Sequence, residues 1–185
     1  MLKKILASVL GRASNFQITE QFGFEVRDDT GALITPGYVW THNRVVDQGL
    51  NYLLNAAFRG EGMISTWYIA PFATNVTPAA NTTAQNFAST LTEFTNYTEP
   101  NRVTWVTDAA STALELINDA APALFTIGSS TTQTSIYGGG LLSAQAKSST
   151  SGVLGAAGKL PNPLLNLAQG FEVRLKYRLR ASSTT

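Results

Sequence analysis

Residues 171–180 alternate without a break: Phe171, Val173, Leu175, Tyr177 and Leu179 fall on one side, and Glu172, Arg174, Lys176, Arg178 and Arg180 on the other. A period of two sustained this long fits a half-buried β-strand and no helix. One face must enter a core. The other sets Arg174, Lys176, Arg178 and Arg180 in a row, either as a solvated outer face or as an electrostatic contact for an acidic partner surface. The rest of the chain has to supply the sheet that this strand joins.

Upstream, Phe16, Ile18, Phe22, Phe24 and Val26 alternate with polar neighbours and run into Asp28-Asp29-Thr30-Gly31, a hairpin turn signal. The return strand is predicted over residues 32–40, at a sheet edge or with a bulge, because Pro36 removes a ladder donor. Further strands are predicted at 102–107, with Val103, Trp105 and Thr107 opposite Arg102, Thr104 and Val106, and at 113–117 and 123–127. Residues 134–144 read as a strand bent by Gly138-Gly139-Gly140. Residues 74–83 and 148–158 read as polar or small-residue loops, and 82–91 as a short helix.

One dense apolar helix is predicted at about 44–58. Residues 41–43 supply cap candidates and Gly60 a stop. Val46, Leu50, Leu53, Leu54 and Ala57 form a stripe expected to lie buried on a sheet. Gly49 within it implies close backbone contact with a neighbouring strand.

With 185 residues the chain suits one substantial domain, expected over 16–185, preceded by an arm over 1–15. Leu2, Ile5, Leu6, Val9 and Leu10 share one face of that arm at helical spacing. This face can dock on a neighbouring subunit or fold back on its own domain. The apolar run of residues 5–10 is too short for a secretion signal, and no stretch elsewhere reaches the ~18 residues that span a bilayer.

Only 14% of residues are charged, with 13 Lys and Arg against 12 Asp and Glu, so the basic excess a nucleic-acid binder needs is missing. A surface of short Thr and Ser side chains loses little entropy when covered, which suits a subunit packed against others, or an ordinary secreted β-protein. There is no cysteine, which excludes disulfides and cysteine-based metal sites and fits a reducing cytoplasm.

Chemistry finds few candidates. His42 is the sole histidine, no Gly-x-Ser-x-Gly elbow exists, and a triad is not expected. Glu93, Glu99, Asp108 and Glu115 are the carboxylates that a glycosidase-like pair would draw on. The Asp28-Asp29 turn lacks the alternating acids of a calcium loop, and the triple glycine lacks the Lys-Ser/Thr of a phosphate loop. The expectation is a protein that is not an enzyme and uses no cofactor or metal.

The order of the parts carries a resemblance. Arg44-Val45-Val46-Asp47-Gln48-Gly49-Leu50-Asn51-Tyr52-Leu53-Leu54 followed by Thr66-Trp67-Tyr68-Ile69-Ala70-Pro71-Phe72 resembles a segment of small structural proteins of tailed bacteriophages and prophages, in which a GLN-x-LL helix precedes a TWY strand. Residues 93–102 resemble their Tyr-x-Glu-x-x-Arg turn, and residues 123–127 with 136–143 their paired strands. Residues 148–158 depart from the pattern, as does Gln169-Gly170. The resemblance implies a cement or decoration protein that stabilises the major capsid lattice in the virion, assembled in the bacterial host cytoplasm. Its partners would be the major capsid protein and copies of itself, with no nucleic acid and no membrane.

The predicted fold is an all-β, jelly-roll-like sandwich of roughly eight strands with the helix and the arm appended. Leu2, Ile5, Leu6 and Leu10 on the arm, with Arg174, Lys176, Arg178 and Arg180, are the predicted interface residues. The alternatives are a tail or neck component around the portal, and a carbohydrate-binding host-contact sandwich in which Trp67, Tyr68, Trp105 or Tyr137 would stack on sugars.

Overall fold

A computed structural model of the chain describes residues 15–109 and 114–184. The arm residues Leu2, Ile5, Leu6 and Leu10 lie outside the described residues. The alternating segment at the end of the chain is β10 (Glu172–Thr184), and it pairs along its whole length with β1 (Asn15–Arg27), from Asn15 opposite Thr184 to Arg27 opposite Glu172. These two long strands are the axis of the first antiparallel sheet. β2 (Val39–His42) flanks β1, while β6 (Glu115–Ile117) and β7 (Ala123–Thr126) both pair with β10.

The second sheet has the order β3 (Arg44–Val45), β9 (Leu154–Leu164), β8 (Ile136–Leu142), β4 (Tyr68–Phe72), β5 (Val103–Thr104), again antiparallel. The pairings β1 with β10, β3 with β9 and β4 with β8 are nested, each inside the previous one along the chain. Phe22, Phe24, Val26, Val173, Leu175 and Tyr177 of the first sheet pack against Ile69, Leu141, Ala156 and Leu160 of the second to form the main core.

The second sheet is covered on its other face as well. The short helix α2 (Ala84–Ser89) begins with a capping box, in which the Thr83 side chain accepts from the Asn86 backbone N–H and the Asn86 side chain accepts from that of Thr83. It lays Phe87 against Phe72, with ring centroids 6.0 Å apart and perpendicular planes. This two-sided burial explains the triple glycine. A Cβ on Gly140 would come within 2.4 Å of the Phe87 ring, and one on Gly138 within 2.1 Å of the Gly158 carbonyl oxygen. The strand is irregular between Ile136 and Gly138.

The hairpin turn forms as expected. Asp28 Oδ1 accepts from the Thr30 hydroxyl and from the backbone N–H groups of Thr30 and Ala32, which holds its carboxyl below the usual range. Gly31 takes φ +85°, open to glycine at no steric cost. The return strand is shorter than predicted: after a single antiparallel bridge of Leu33 to Arg27, residues 34–38 bend around Pro36 and Gly37, and the strand proper is only Val39–His42, at the sheet edge.

Four other expectations are corrected. The helix α1 is Asp47–Phe58, and Arg44 and Val45, read as its first turn, are instead β3. Its N-cap is Val46 without a side-chain cap, so residues 41–43 do not cap it; Gly60, at φ +70°, ends it as expected. Residues 154–158 are not loop but the start of β9, whose glycines and alanines hide a strand from propensity. The predicted strand at 102–107 is reduced to Val103–Thr104, and Arg102, placed on its polar face, is buried.

The last correction concerns the stripe on α1. Val46 and Gly49 are buried as expected, yet Leu50, Leu53, Leu54 and Ala57 are exposed. The reason is Gly49, where a Cβ would stand 2.2 Å from the Gly155 carbonyl oxygen. The helix seats backbone to backbone on β9 along the side that carries Gly49, Tyr52 and Ala56. That turns the leucine flank outward.

Candidate assembly surface

The attachment of α1 is local and polar as well as close. Gln48 Oε1 accepts from the backbone N–H groups of Ala84 and Leu154, both at 2.9 Å, and its Nε2 donates to the Gly152 carbonyl at 3.1 Å. One side chain therefore ties α1 to α2 and to the start of β9. At the far end the Tyr52 hydroxyl accepts from the Ile64 N–H at 2.6 Å, and the Tyr52 ring meets Trp67 edge to face at 5.5 Å. These contacts fix the rotation of the helix about its axis.

So fixed, α1 presents an apolar face that no described residue covers. Leu54 is 56% exposed and Phe58 83%. Together with Ile18 of β1 and Val45 of β3, the residues Leu50, Leu53, Leu54 and Phe58 line a groove that, among the described residues, has no charged or polar side chain. Exposed apolar surface of this continuity marks association sites on soluble proteins. Ile18 stands three residues past the first described residue, Asn15.

The basic row on β10 has a different character. The outer face does bring Arg174, Lys176, Arg178 and Arg180 together, but each has an acidic partner. Arg174 bonds Glu172, Arg180 bonds Glu115, and Asp119 takes Arg178 at 2.7 Å and Lys176 at 3.4 Å. Burial opposes ionisation of Asp119, but the hydrogen bond and charge of Arg178 and the charge of Lys176 outweigh it and hold the carboxyl low. Lys176 also sits over the Tyr38 ring and Arg178 over the Trp40 ring, 4.4 and 3.9 Å from the centroids. A neutralised face of this kind offers little long-range attraction for an acidic partner.

The carboxylates considered for catalysis are each engaged in holding the fold. Arg102 donates to both carboxylate oxygens of Glu93, at 3.0 and 2.6 Å, with both side chains fully buried. Arg102 further donates to the carbonyls of Ala144 and Ser149, and Glu93 accepts from the Ser148 N–H. Lys147 of the same loop donates to the Tyr97 carbonyl at 2.7 Å. Glu99 accepts from the Thr126 N–H, Asp108 from those of Asp119 and Ala120, and Glu115 from Arg180. His42 is exposed at the end of β2.

Among the described residues no group of three or more His, Asp or Glu is placed to hold a metal ion, and no helix is long and apolar enough to cross a membrane. Trp67, Tyr68, Trp105 and Tyr137, the aromatics a sugar would stack on, are all half-buried; Trp67 and Trp105 pack on the main core and Tyr137 on the second.

Sequence reasoning missed Gln48 and the Glu93 to Arg102 pair as anchors. For Gln48 the signal was its place beside Gly49 at the start of an apolar helix. For Arg102 the only signal was an arginine next to a turn in a chain poor in charge. No protein-family model matches the chain, and neither the curated proteins nor the solved structures hold a significant match to it.

Proposed function

We propose that the protein is a non-enzymatic structural component of a tailed-bacteriophage particle, a cement or decoration protein that stabilises the major capsid lattice. The observation that carries this reading is the exposed apolar face of α1, built on a domain in which the carboxylates Glu93, Glu99, Asp108 and Glu115 are taken up in holding the fold. Its occupant in this reading is the major capsid protein, with the arm residues Leu2, Ile5, Leu6 and Leu10 adding contacts beside the groove, to the shell or to a neighbouring copy. Burial of each large apolar side chain contributes about 1.5 to 3 kcal/mol, and the effect multiplies over many copies on one shell.

Two further observations support it. The nested pairing of β1 with β10, β3 with β9 and β4 with β8 is compatible with one long antiparallel hairpin wound into two facing sheets, and so supports the jelly-roll-like reading of the sandwich. The near balance of charge, with 13 Lys and Arg against 12 Asp and Glu, lets many copies crowd on one surface without strong mutual repulsion.

The test compares complete particles with particles lacking this protein. The lacking particles are expected to lose DNA and integrity at lower temperature and under milder osmotic shock. Equal resistance would overturn the cement role, and a copy number matching the portal axis instead of the shell would move the protein to the tail or neck.

A further inference from the structure

At the end of the sandwich roofed by α1, between the two sheets, lies a cavity of about 320 Å³. That volume is at the small end of the ~300 to 1,000 Å³ typical of ligand sites. Tyr52, Trp67, Trp105 and Tyr177 supply aromatic walls, Leu141 and Leu179 aliphatic ones, and the largely exposed Met63 stands at the rim. One charged side chain enters this apolar space. Glu20 occupies an inward position of β1, in line with Phe22, Phe24 and Val26, and is only 5% exposed. It shares a hydrogen bond with Tyr177, and its Oε2 has no partner.

A buried carboxylate oxygen without a partner is costly and unusual, and asks for a ligand group to complete it. The chemistry of the cavity decides which. An anion would meet the Glu20 carboxylate and be repelled. A neutral apolar molecule would leave the oxygen unpaired. An ammonium group brings N–H donors and a positive charge to the carboxylate, and aromatic walls attract cations through their ring faces. The aliphatic walls then cover the stem of such a group.

We propose that this cavity binds an alkylammonium group, a free amine or a lysine side chain, with the nitrogen against Glu20 and the stem among Tyr52, Trp67, Trp105 and Tyr177. The site does not depend on the proposed role on the particle. Among the described residues, Glu20 is the only charged one lining the cavity, and the other titratable groups there are the phenols of Tyr52 on α1 and Tyr177 on β10. Burial pushes the Glu20 carboxyl up to about 7 in the empty cavity, against the opposing hydrogen bond with Tyr177. Amine binding below that pH therefore expels a proton from Glu20. Affinity should tighten about tenfold from pH 6 to pH 8 as the competent, ionised fraction rises.

The test titrates the full chain with n-hexylammonium, followed by tryptophan fluorescence and by the 13C shift of the Glu20 carboxyl. Saturable binding is expected, tightening about tenfold between pH 6 and 8, with n-hexanol weaker and indifferent to pH. Glu20→Gln should weaken amine binding at pH 8 by at least about tenfold and abolish the pH dependence. A parallel titration with a short lysine-containing peptide separates the sources: binding of both probes assigns the site to lysine side chains, and binding of hexylammonium alone to free amines. The proposal is overturned if neither probe binds saturably, if Glu20→Gln binds as the wild type does, or if the carboxyl titration in the wild-type protein stays near 7 at saturating amine.

Discussion

Glu93 and Arg102 meet with both side chains fully buried, and the arginine also holds the carbonyls of Ala144 and Ser149. Removing the acid strands a guanidinium without its counter-charge, a change that costs about 3 to 5 kcal/mol in buried pairs. Glu93→Gln is accordingly expected to lower the free energy of urea unfolding by that amount, with little dependence on ionic strength, and to speed amide exchange in residues 143–153. Glu20 gives a prediction of opposite sign. Burial raises its carboxyl from 4.5 to about 7, so below about pH 4.5 it is neutral in both states and carries no electrostatic penalty. As pH rises through that window the unfolded chain ionises first and stability falls; above about 7 the loss is constant, roughly 3 kcal/mol. Relative to wild type, Glu20→Gln should therefore gain stability progressively between about pH 4.5 and 7, as read by urea unfolding across that range. A parallel pair of pH profiles would contradict the assignment. Glu20 was legible in part, since it shares the parity of Phe22, Phe24 and Val26, and a charged residue at an inward position asks for a reason. The partner of Arg102 was not legible: nine residues and a turn separate it from Glu93, and nothing local couples them.

At the scale of elements, α1 and β9 define each other. Gly49→Ala should favour an isolated helix by roughly 1 kcal/mol, because glycine is the poorer helix former. In the folded protein the new methyl would stand 2.2 Å from the Gly155 carbonyl oxygen, and overpacking of this kind typically costs about 1 to 3 kcal/mol. Net destabilisation is expected in thermal unfolding, with faster amide exchange in α1; a rise in melting temperature would refute the backbone-to-backbone seat. The close contact was readable from a glycine inside a helical pattern. Its consequence for the leucines was not, because periodicity gives the apolar face but not the side on which tertiary contacts seat a helix. β9 stayed hidden for a related reason. Leu154-Gly155-Ala156-Ala157-Gly158 has the small residues that Gly49, Trp67 and Asn43 require as neighbours, and Pro161 and Pro163 lie where the ladder with β8 is interrupted. β10 needed no such context, since its alternation alone sets the register.

For the whole molecule, the main question is what covers the groove of Ile18, Val45, Leu50, Leu53, Leu54 and Phe58. Polar substitutions at Leu54 and Phe58 should leave the isolated protein as stable as before, within about 0.5 kcal/mol, because these two side chains are already exposed. They should nevertheless remove association, since the loss falls on contacts made only in the assembly. The mostly β class with two antiparallel sheets was legible from alternation and turns. The exposed leucine stripe of α1 was misread as core, because a stripe of leucines looks the same whether or not the domain's own sheet buries it. The most direct measurement adds purified protein back to particles lacking it, wild type beside Leu54→Glu/Phe58→Glu, and scores bound copies and heat resistance. Wild-type protein is expected to bind and restore resistance while the folded double variant does neither; equal binding and equal protection by the two would contradict the account.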